Sequence, residues 1–139
     1  MRRTFAPPSS LVALPMIKGM KKWKGAALRT EEKFVLRLKH LRGRIEKSYN
    51  GEAQTVHEYD VTVTPAGSNY PVLCVSSGQT HVDVRQLHGV WCYGVDFQEY
   101  RFNLTSNRFL SIYLIGYLEG ADNKGNTPSV TGGTCTKID

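Results

Sequence analysis

The sequence lacks the short motifs of the common enzyme classes. It contains no GxSxG, HExxH, P-loop or GxGxxG pattern, which are the arrangements that supply a nucleophile, a zinc site or a phosphate cradle. It also lacks an apolar run approaching the ~20 residues that span a bilayer. The longest run, from Phe109 to Leu118, is interrupted by Ser111 and Gly116. We therefore predict a protein that is not an enzyme, that binds no metal or cofactor, and that has no membrane span.

Cysteine is scarce, and its spacing excludes the usual metal-binding pairs. The chain has three cysteines, Cys74, Cys92 and Cys135, with no CxxC spacing. An odd number leaves at least one thiol without a partner in the same chain. We predict reduced, partly buried thiols, with a Cys74–Cys92 pair between neighbouring strands as the alternative.

Acidic residues are rare at the N-terminal end of the chain. Residues 1–50 contain thirteen Lys/Arg and three acids, whereas residues 51–139 contain five Lys/Arg and nine acids. The two parts carry formal charges of +10 and −4, which together give the +6 of the whole chain. The positive charge is therefore concentrated in one segment, as expected of a segment that binds a polyanion.

The last third of this basic segment carries the strongest helix signal in the chain. Thr30 is a suitable N-cap, and four apolar residues have helical spacing, which predicts a helix over residues 31–48: Phe34, Leu38, Leu41 and Ile45. The alternation of Phe34, Leu36 and Leu38 favours instead a strand over residues 33–42. We favour the helix.

From residue 53 onwards the sequence has the character of β-strands. Residues 55–64 alternate between apolar and polar, and Pro65 to Asn69 form a turn cluster. Five or six short strands with such turns between them predict an antiparallel β-sandwich or jelly-roll-like barrel. A change of apolar parity near Leu87 to Gly89 predicts a bulge or a break there. The predicted organisation is a basic N-terminal arm, residues 1–50, and an antiparallel β domain, residues 51–139.

Three further groups of residues are candidate sites. His81 and His88 with Asp83 form the only candidate metal or acid–base cluster, and we predict ordinary hydrogen bonding there. Asn103 begins an N-glycosylation triplet, which we interpret as a turn at a strand end. A set of aromatic residues could form a base-stacking platform, but we predict core and subunit packing for it: Trp91, Tyr93, Phe97, Tyr100, Phe102, Phe109, Tyr113 and Tyr117.

The basic segment remains the best candidate for function. Its cations are expected to bind nucleic-acid phosphates without sequence preference, RNA or DNA, with strong dependence on salt. The predicted nucleic-acid-binding residues are Arg2, Arg3, Lys18, Lys21, Lys22, Lys24, Arg29, Arg37, Arg42 and Arg44.

A basic, acid-poor arm followed by a compact all-β domain resembles the capsid (coat) proteins of small icosahedral viruses. The resemblance is one of layout, with Arg2 to Arg44 as the arm and Thr55 to Leu118 as the body. It implies a structural protein that self-assembles into a homo-oligomeric shell. The arm would neutralise packaged nucleic acid, and the protein would be found in the virion and, during assembly, in the host cytoplasm or nucleus.

Two alternatives remain open at this point. One is a β-sandwich recognition module of the lectin-like or adhesion type, with its ligand near Asp83, Trp91 and Tyr93 or in the tail from Gly120 to Gly133. The other is an organellar protein with a cleaved basic presequence, because residues 1–30 contain no acid. Its mature chain would begin near residue 30.

Overall fold

The computed structural model describes residues 2–6, 10–13, 16–17, 22–23, 26–28, 33–85, 89–115 and 128–138. Side chains are described from residue 33 onwards within these ranges, except at Asp96. The described chain is mainly β, with antiparallel sheets and no α-helix. The prediction of an antiparallel all-β body is confirmed.

Sheet A is built around one long hairpin. Strands β6 and β7 pair along almost their whole length, and the sheet has the order β14-β1-β6-β7-β8, with β9 also pairing with β7. The bounds are β1 (Arg2–Ala6), β6 (Phe34–Lys47), β7 (Ala53–Pro65), β8 (Val72–Cys74), β9 (Val82–Val84) and β14 (Thr136–Ile138).

Sheet B is a meander extended by two N-terminal strands, in the order β10-β11-β12-β13-β2-β5. A short 3₁₀ turn, Val95–Phe97, joins β10 to β11. Strands β3 (Met16–Ile17) and β4 (Lys22–Trp23) form a separate pair. The bounds in sheet B are β2 (Ser10–Ala13), β5 (Ala26–Leu28), β10 (Gly89–Tyr93), β11 (Glu99–Asn103), β12 (Arg108–Tyr113) and β13 (Ser129–Thr134).

One apolar core joins the two sheets. Alternate residues of β6 and β7 are buried against alternate residues of β10, β11 and β12, as the two-residue period of a strand requires: Phe34, Leu36, Leu38, Val61 and Val63 from sheet A, and Val90, Cys92, Phe102 and Phe109 from sheet B. The Phe34 ring packs edge-on against Phe109 at a centroid distance of 5.0 Å. The core therefore contains part of the aromatic set, as predicted.

Asn103 closes the turn between β11 and β12. Its Oδ1 accepts hydrogen bonds from the backbone N–H groups of Thr105 and Ser106, both at 2.9 Å. Asn107 completes the turn in the left-handed region, at φ 57°, which asparagine tolerates better than most residues. The interpretation of Asn103 as a turn residue at a strand end agrees with this geometry.

The predicted helix over residues 31–48 is wrong, because Phe34–Lys47 form strand β6. Both patterns were present in the sequence, and the neighbouring strands decided between them. β7 and β1 provide hydrogen-bond partners on the two edges of β6, while Leu36 and Leu38 become buried. Tertiary burial thus overrides the local helix preference. The predicted domain boundary at residues 50 and 51 lies in the turn of the β6–β7 hairpin, so residues 34–47 belong to the β body.

A disulfide joins the two sheets. Cys74 at the end of β8 is bonded to Cys92 in β10, and both residues are fully buried. Cys135 is the free, buried thiol, and burial raises its pKa to about 12. The prediction of reduced thiols is therefore wrong for Cys74 and Cys92. The alternative, a Cys74–Cys92 pair, is confirmed. The packing of the two sheets brings the two residues together, which the spacing of the cysteines did not reveal.

Candidate functional site

The ten predicted nucleic-acid-binding residues separate into three groups. Arg37, Arg42 and Arg44 lie in β6 with described side chains. Arg2, Arg3 and Lys22 occupy strand positions in β1 and β4. The remaining four, Lys18, Lys21, Lys24 and Arg29, lie outside the described residues. Side-chain contacts are therefore described only for the three arginines in β6.

A bulge in β6 brings Arg42 and Arg44 beside buried carboxylates. The register with β7 shifts between His40 and Arg42, so that Leu41 is the extra residue and the strand reverses its faces at this point. Arg42 then lies opposite Glu58. On the other edge of β7, Glu58 lies opposite Asp83 of β9. Side chains directly opposite one another share a face of the sheet, so cations and carboxylates meet there.

These side chains form a connected ion-pair network. Glu58 accepts from Arg42 Nε at 2.7 Å and from Arg44 Nη1 at 2.5 Å. Asp83 accepts from Arg44 Nη2 at 2.8 Å, and Glu46 accepts from Arg85 Nε at 2.8 Å. The side chains of Glu58 and Asp83 are each only 5 % exposed, so both carboxylates depend on these donors.

The charges within this network balance. The three carboxylates of Glu46, Glu58 and Asp83 face the three guanidinium groups of Arg42, Arg44 and Arg85. The hydrogen bond from Arg42 is the main reason why the pKa of the Glu58 carboxyl is lowered, and the bond from Arg44 likewise lowers the pKa of Asp83. Arg42 and Arg44 are therefore partners of the body's own carboxylates, while the Arg42 side chain is 71 % exposed. Their role in nucleic-acid binding stays a prediction.

The lowered pKa values predict acid-sensitive stability. A carboxyl group whose pKa is depressed by folding contributes stability above its unfolded value and loses that contribution as the pH falls through its folded value. The ordinary values are 4.5 for Glu58 and 3.8 for Asp83. We therefore expect the free energy of unfolding to decrease steeply below about pH 4, as measured by urea titrations at a series of pH values.

Arg44→Met provides the matching variant. It leaves Asp83 with weakened pairing, so we expect lower stability than wild type near neutral pH and a shallower loss on acidification. Lys39→Met, at an exposed position of the same strand, is the control and should keep the wild-type profile. Equal acid profiles for wild type and Arg44→Met would contradict a role of this network in stability.

The candidate cluster of His81, His88 and Asp83 forms only in part. His81 Nε2 lies 3.1 Å from Asp83 Oδ1 and 3.8 Å from Glu58 Oε1, whereas His88 lies outside the described residues. These three groups are close enough to hold a metal ion. However, both carboxylates already accept hydrogen bonds from Arg44, and a divalent cation beside its guanidinium would be repelled. The chemistry of this donor set fits an ion-pair network better than a metal site.

The second site is a groove on the outer face of sheet B. Trp91, Arg101, Leu110 and Gly132 stand in register across four adjacent strands. Their neighbours in sequence, such as Val90, Phe102 and Phe109, are buried in the core, so this row faces outward. It lines a groove of about 1060 Å³ that extends to Asn103, Arg108 and Arg85.

Trp91 and Arg101 form the most specific contact in this groove. The Arg101 Cζ atom lies 4.0 Å from the centre of the Trp91 ring, a cation–π geometry. Trp91 nevertheless remains 49 % exposed. The aromatic set thus divides, because Phe102 and Phe109 lie in the core as predicted while Trp91, Tyr93 and Phe97 are exposed. The sequence signal for this division is the alternation along β10. It places Trp91 and Tyr93 on one face of the strand, and Val90 and Cys92 on the other.

The described residues contain no helix long and apolar enough to cross a membrane. In comparisons with known proteins, no family model, no curated protein and no solved structure matches this chain.

Proposed function

We propose that this protein is a structural, self-assembling protein that binds nucleic acid without sequence preference through its basic N-terminal segment. The observation that carries the proposal is the charge asymmetry, +10 in residues 1–50 against −4 in the remainder. Phosphate backbones bind such a segment by releasing condensed counterions. This is the function of the arm in the capsid proteins that the layout resembles.

The basic segment keeps an excess of positive charge even when the ion-pair network is subtracted. Arg42 and Arg44 neutralise carboxylates of the body, so two of the thirteen cations of the basic segment are already paired. Without Arg42, Arg44 and Glu46, residues 1–50 still contain eleven Lys/Arg and two acids, Glu31 and Glu32. The excess of positive charge therefore persists after the described ion pairs are taken into account.

Self-assembly is supported by large apolar side chains that the single chain leaves exposed. Ile45 is 76 % exposed at the end of the β6–β7 hairpin, and Phe97 is 78 % exposed in the turn after β10. Phe97 also has a φ of 60°, a left-handed conformation that costs a residue with a side chain about 1–2 kcal/mol. A bulky aromatic side chain kept exposed at such a position is typical of a contact surface.

The proposal is tested by size-exclusion chromatography with light scattering and absorbance at two wavelengths. We expect the purified protein to elute as a large particle with nucleic-acid absorbance. Nuclease or high salt should remove that absorbance and shift the particle mass. A monomer free of nucleic acid, in low salt and without nuclease, would refute the proposal and favour the ligand-recognition module.

The variant Phe97→Asn tests the assembly contact. Asparagine tolerates the left-handed conformation, so we expect unchanged stability or a gain of up to about 1 kcal/mol together with a smaller particle. Tyr70→Asn, at a turn residue that is 80 % exposed, is the matched control and should retain the wild-type mass. An unchanged particle mass for Phe97→Asn would show that Phe97 is not an assembly contact.

A further inference from the structure

We propose that the groove on the outer face of sheet B binds a single-stranded segment of nucleic acid, with a base stacked at the Trp91–Arg101 pair and phosphate held by Arg108. This inference rests on the proposed function and assigns it a second contact site, on the β body. Sites for single strands combine a positively charged groove with aromatic or guanidinium surfaces on which bases stack. The groove contains both components.

Arg101 is fixed in position before any ligand binds. Its guanidinium lies over the Trp91 ring at 4.0 Å, and its Nε donates to Glu99 Oε1 at 2.7 Å. The described residues provide no acceptor for its two terminal nitrogens. A guanidinium held on one face by an indole offers its other face for stacking and its terminal N–H groups for a phosphate oxygen. Little side-chain entropy remains to be lost on binding.

Charge favours an anionic ligand over a neutral one. Three arginines, Arg85, Arg101 and Arg108, line the groove, and none of the described residues that line it carries a carboxylate. Glu46 balances Arg85 and Glu99 balances Arg101. Arg108 is exposed, and no described carboxylate pairs with it. The groove therefore retains a net positive charge that is suited to a phosphodiester.

The groove leaves room for a flat ring on its Gly89 side. At Gly132, which stands beside Leu110 in the register, the Leu110 side chain already occupies the space, because a Cβ there would lie 3.1 Å from Leu110 Cδ2. Gly89 stands at the other side of the groove, and a Cβ there would meet no atom within 4 Å. The volume of about 1060 Å³ is at the upper end of ligand sites, so the groove accommodates more than a single base.

The structure also suggests a variant that fills the groove without removing a proposed contact. Gly89 does not have a positive φ, so Gly89→Val introduces a side chain into open space without backbone strain. We expect this variant to fold normally and to bind single strands more weakly.

Fluorescence quenching in full-length protein tests the proposal. Trp23→Phe leaves Trp91 as the sole tryptophan of the chain. Titration with oligo(dT) should quench its emission, whereas inorganic polyphosphate, which has charge but no bases, should not. Loss of one stacked base is worth ~1–3 kcal/mol, so Trp91→Ala should lower oligo(dT) affinity about 5- to 150-fold. Trp91→Phe should retain most of the affinity, and both variants should bind polyphosphate as wild type does.

The outcomes separate the two proposals. If wild-type protein binds neither oligo(dT) nor polyphosphate, the proposed function itself fails. If the Trp23→Phe protein binds oligo(dT) without quenching of Trp91, and Trp91→Ala and Gly89→Val bind oligo(dT) as tightly as wild type, only the groove is refuted. If these variants instead change particle mass while oligonucleotide affinity stays constant, the groove is an interface between copies, which also overturns the inference. Should Trp91→Ala fail to fold, quenching and Gly89→Val still decide the question.

Discussion

Replacing Lys21, Lys22 and Lys24 together by alanine is expected to weaken nucleic-acid binding strongly and to flatten its salt dependence. Each phosphate contact to a single strand contributes about 0.7 to the slope of log affinity against log salt. Loss of three such contacts should therefore lower the slope by about 2. The expected loss of affinity is largest at low salt, where counterion release contributes most. Fluorescence anisotropy with a labelled oligonucleotide at a series of salt concentrations measures it directly.

The matched control is the triple substitution of Lys33, Lys39 and Lys47 by alanine. It removes the same charge from exposed positions beside or within β6, outside the predicted binding set. If binding is located in the part of the arm before residue 30, the control triple should lower the slope less than the Lys21, Lys22 and Lys24 triple. Equal effects of the two triples would mean that net charge drives binding wherever it is located, and the predicted binding residues before residue 30 would lose their assigned role.

Removal of the Cys74–Cys92 disulfide is expected to cause the largest loss of stability. The two cysteines are separated by 18 positions, and closing a loop of about this length stabilises a fold by roughly 3 kcal/mol. The bond also joins the two sheets, beside the backbone bridge between Val75 and Tyr93. We expect the double variant Cys74→Ala/Cys92→Ala to unfold at a markedly lower urea concentration than wild type.

Reductant and the third cysteine provide the controls for this prediction. Dithiothreitol should lower the urea midpoint of wild type and leave that of the double variant unchanged. Cys135→Ala should keep the response to reductant, because Cys135 is free. An identical urea midpoint for wild type with and without reductant would contradict a structural role of the disulfide.

The strand pattern of the body could be predicted from local sequence, whereas the conformation of residues 34–47 could not. The alternation of Tyr59, Val61 and Val63 with polar residues fits only a strand with one buried face. Phe34, Leu36 and Leu38 carry the same alternation, but Phe34, Leu38, Leu41 and Ile45 also fit a helix. The choice depended on β7, the other half of the hairpin, and on β1, which pairs with the opposite edge of β6.

The roles of individual arginines were also beyond local inference. Arg44 resembles any other cation of the basic segment in the sequence, yet its guanidinium binds Asp83, 39 positions away. The bulge at Leu41 produces this contact because it reverses the two faces of β6. After the bulge, Arg42 lies opposite Glu58, and Arg44 lies on the same face of the sheet. Similarly, Arg101 could be placed on an outward face by its parity, but its contact with Trp91 depended on the register of β10 with β11.

The antiparallel β body, the turn at Asn103 and the concentration of positive charge before residue 50 could all be predicted from the sequence. These properties follow from composition and from the two-residue period of strands, which depend only on near neighbours along the chain. Tertiary structure alone decided which cations are neutralised, which cysteines are joined and which aromatic residues line a groove. Each of these depends on residues brought together by sheet pairing and packing, and the register of distant strands is set by the burial of the whole core.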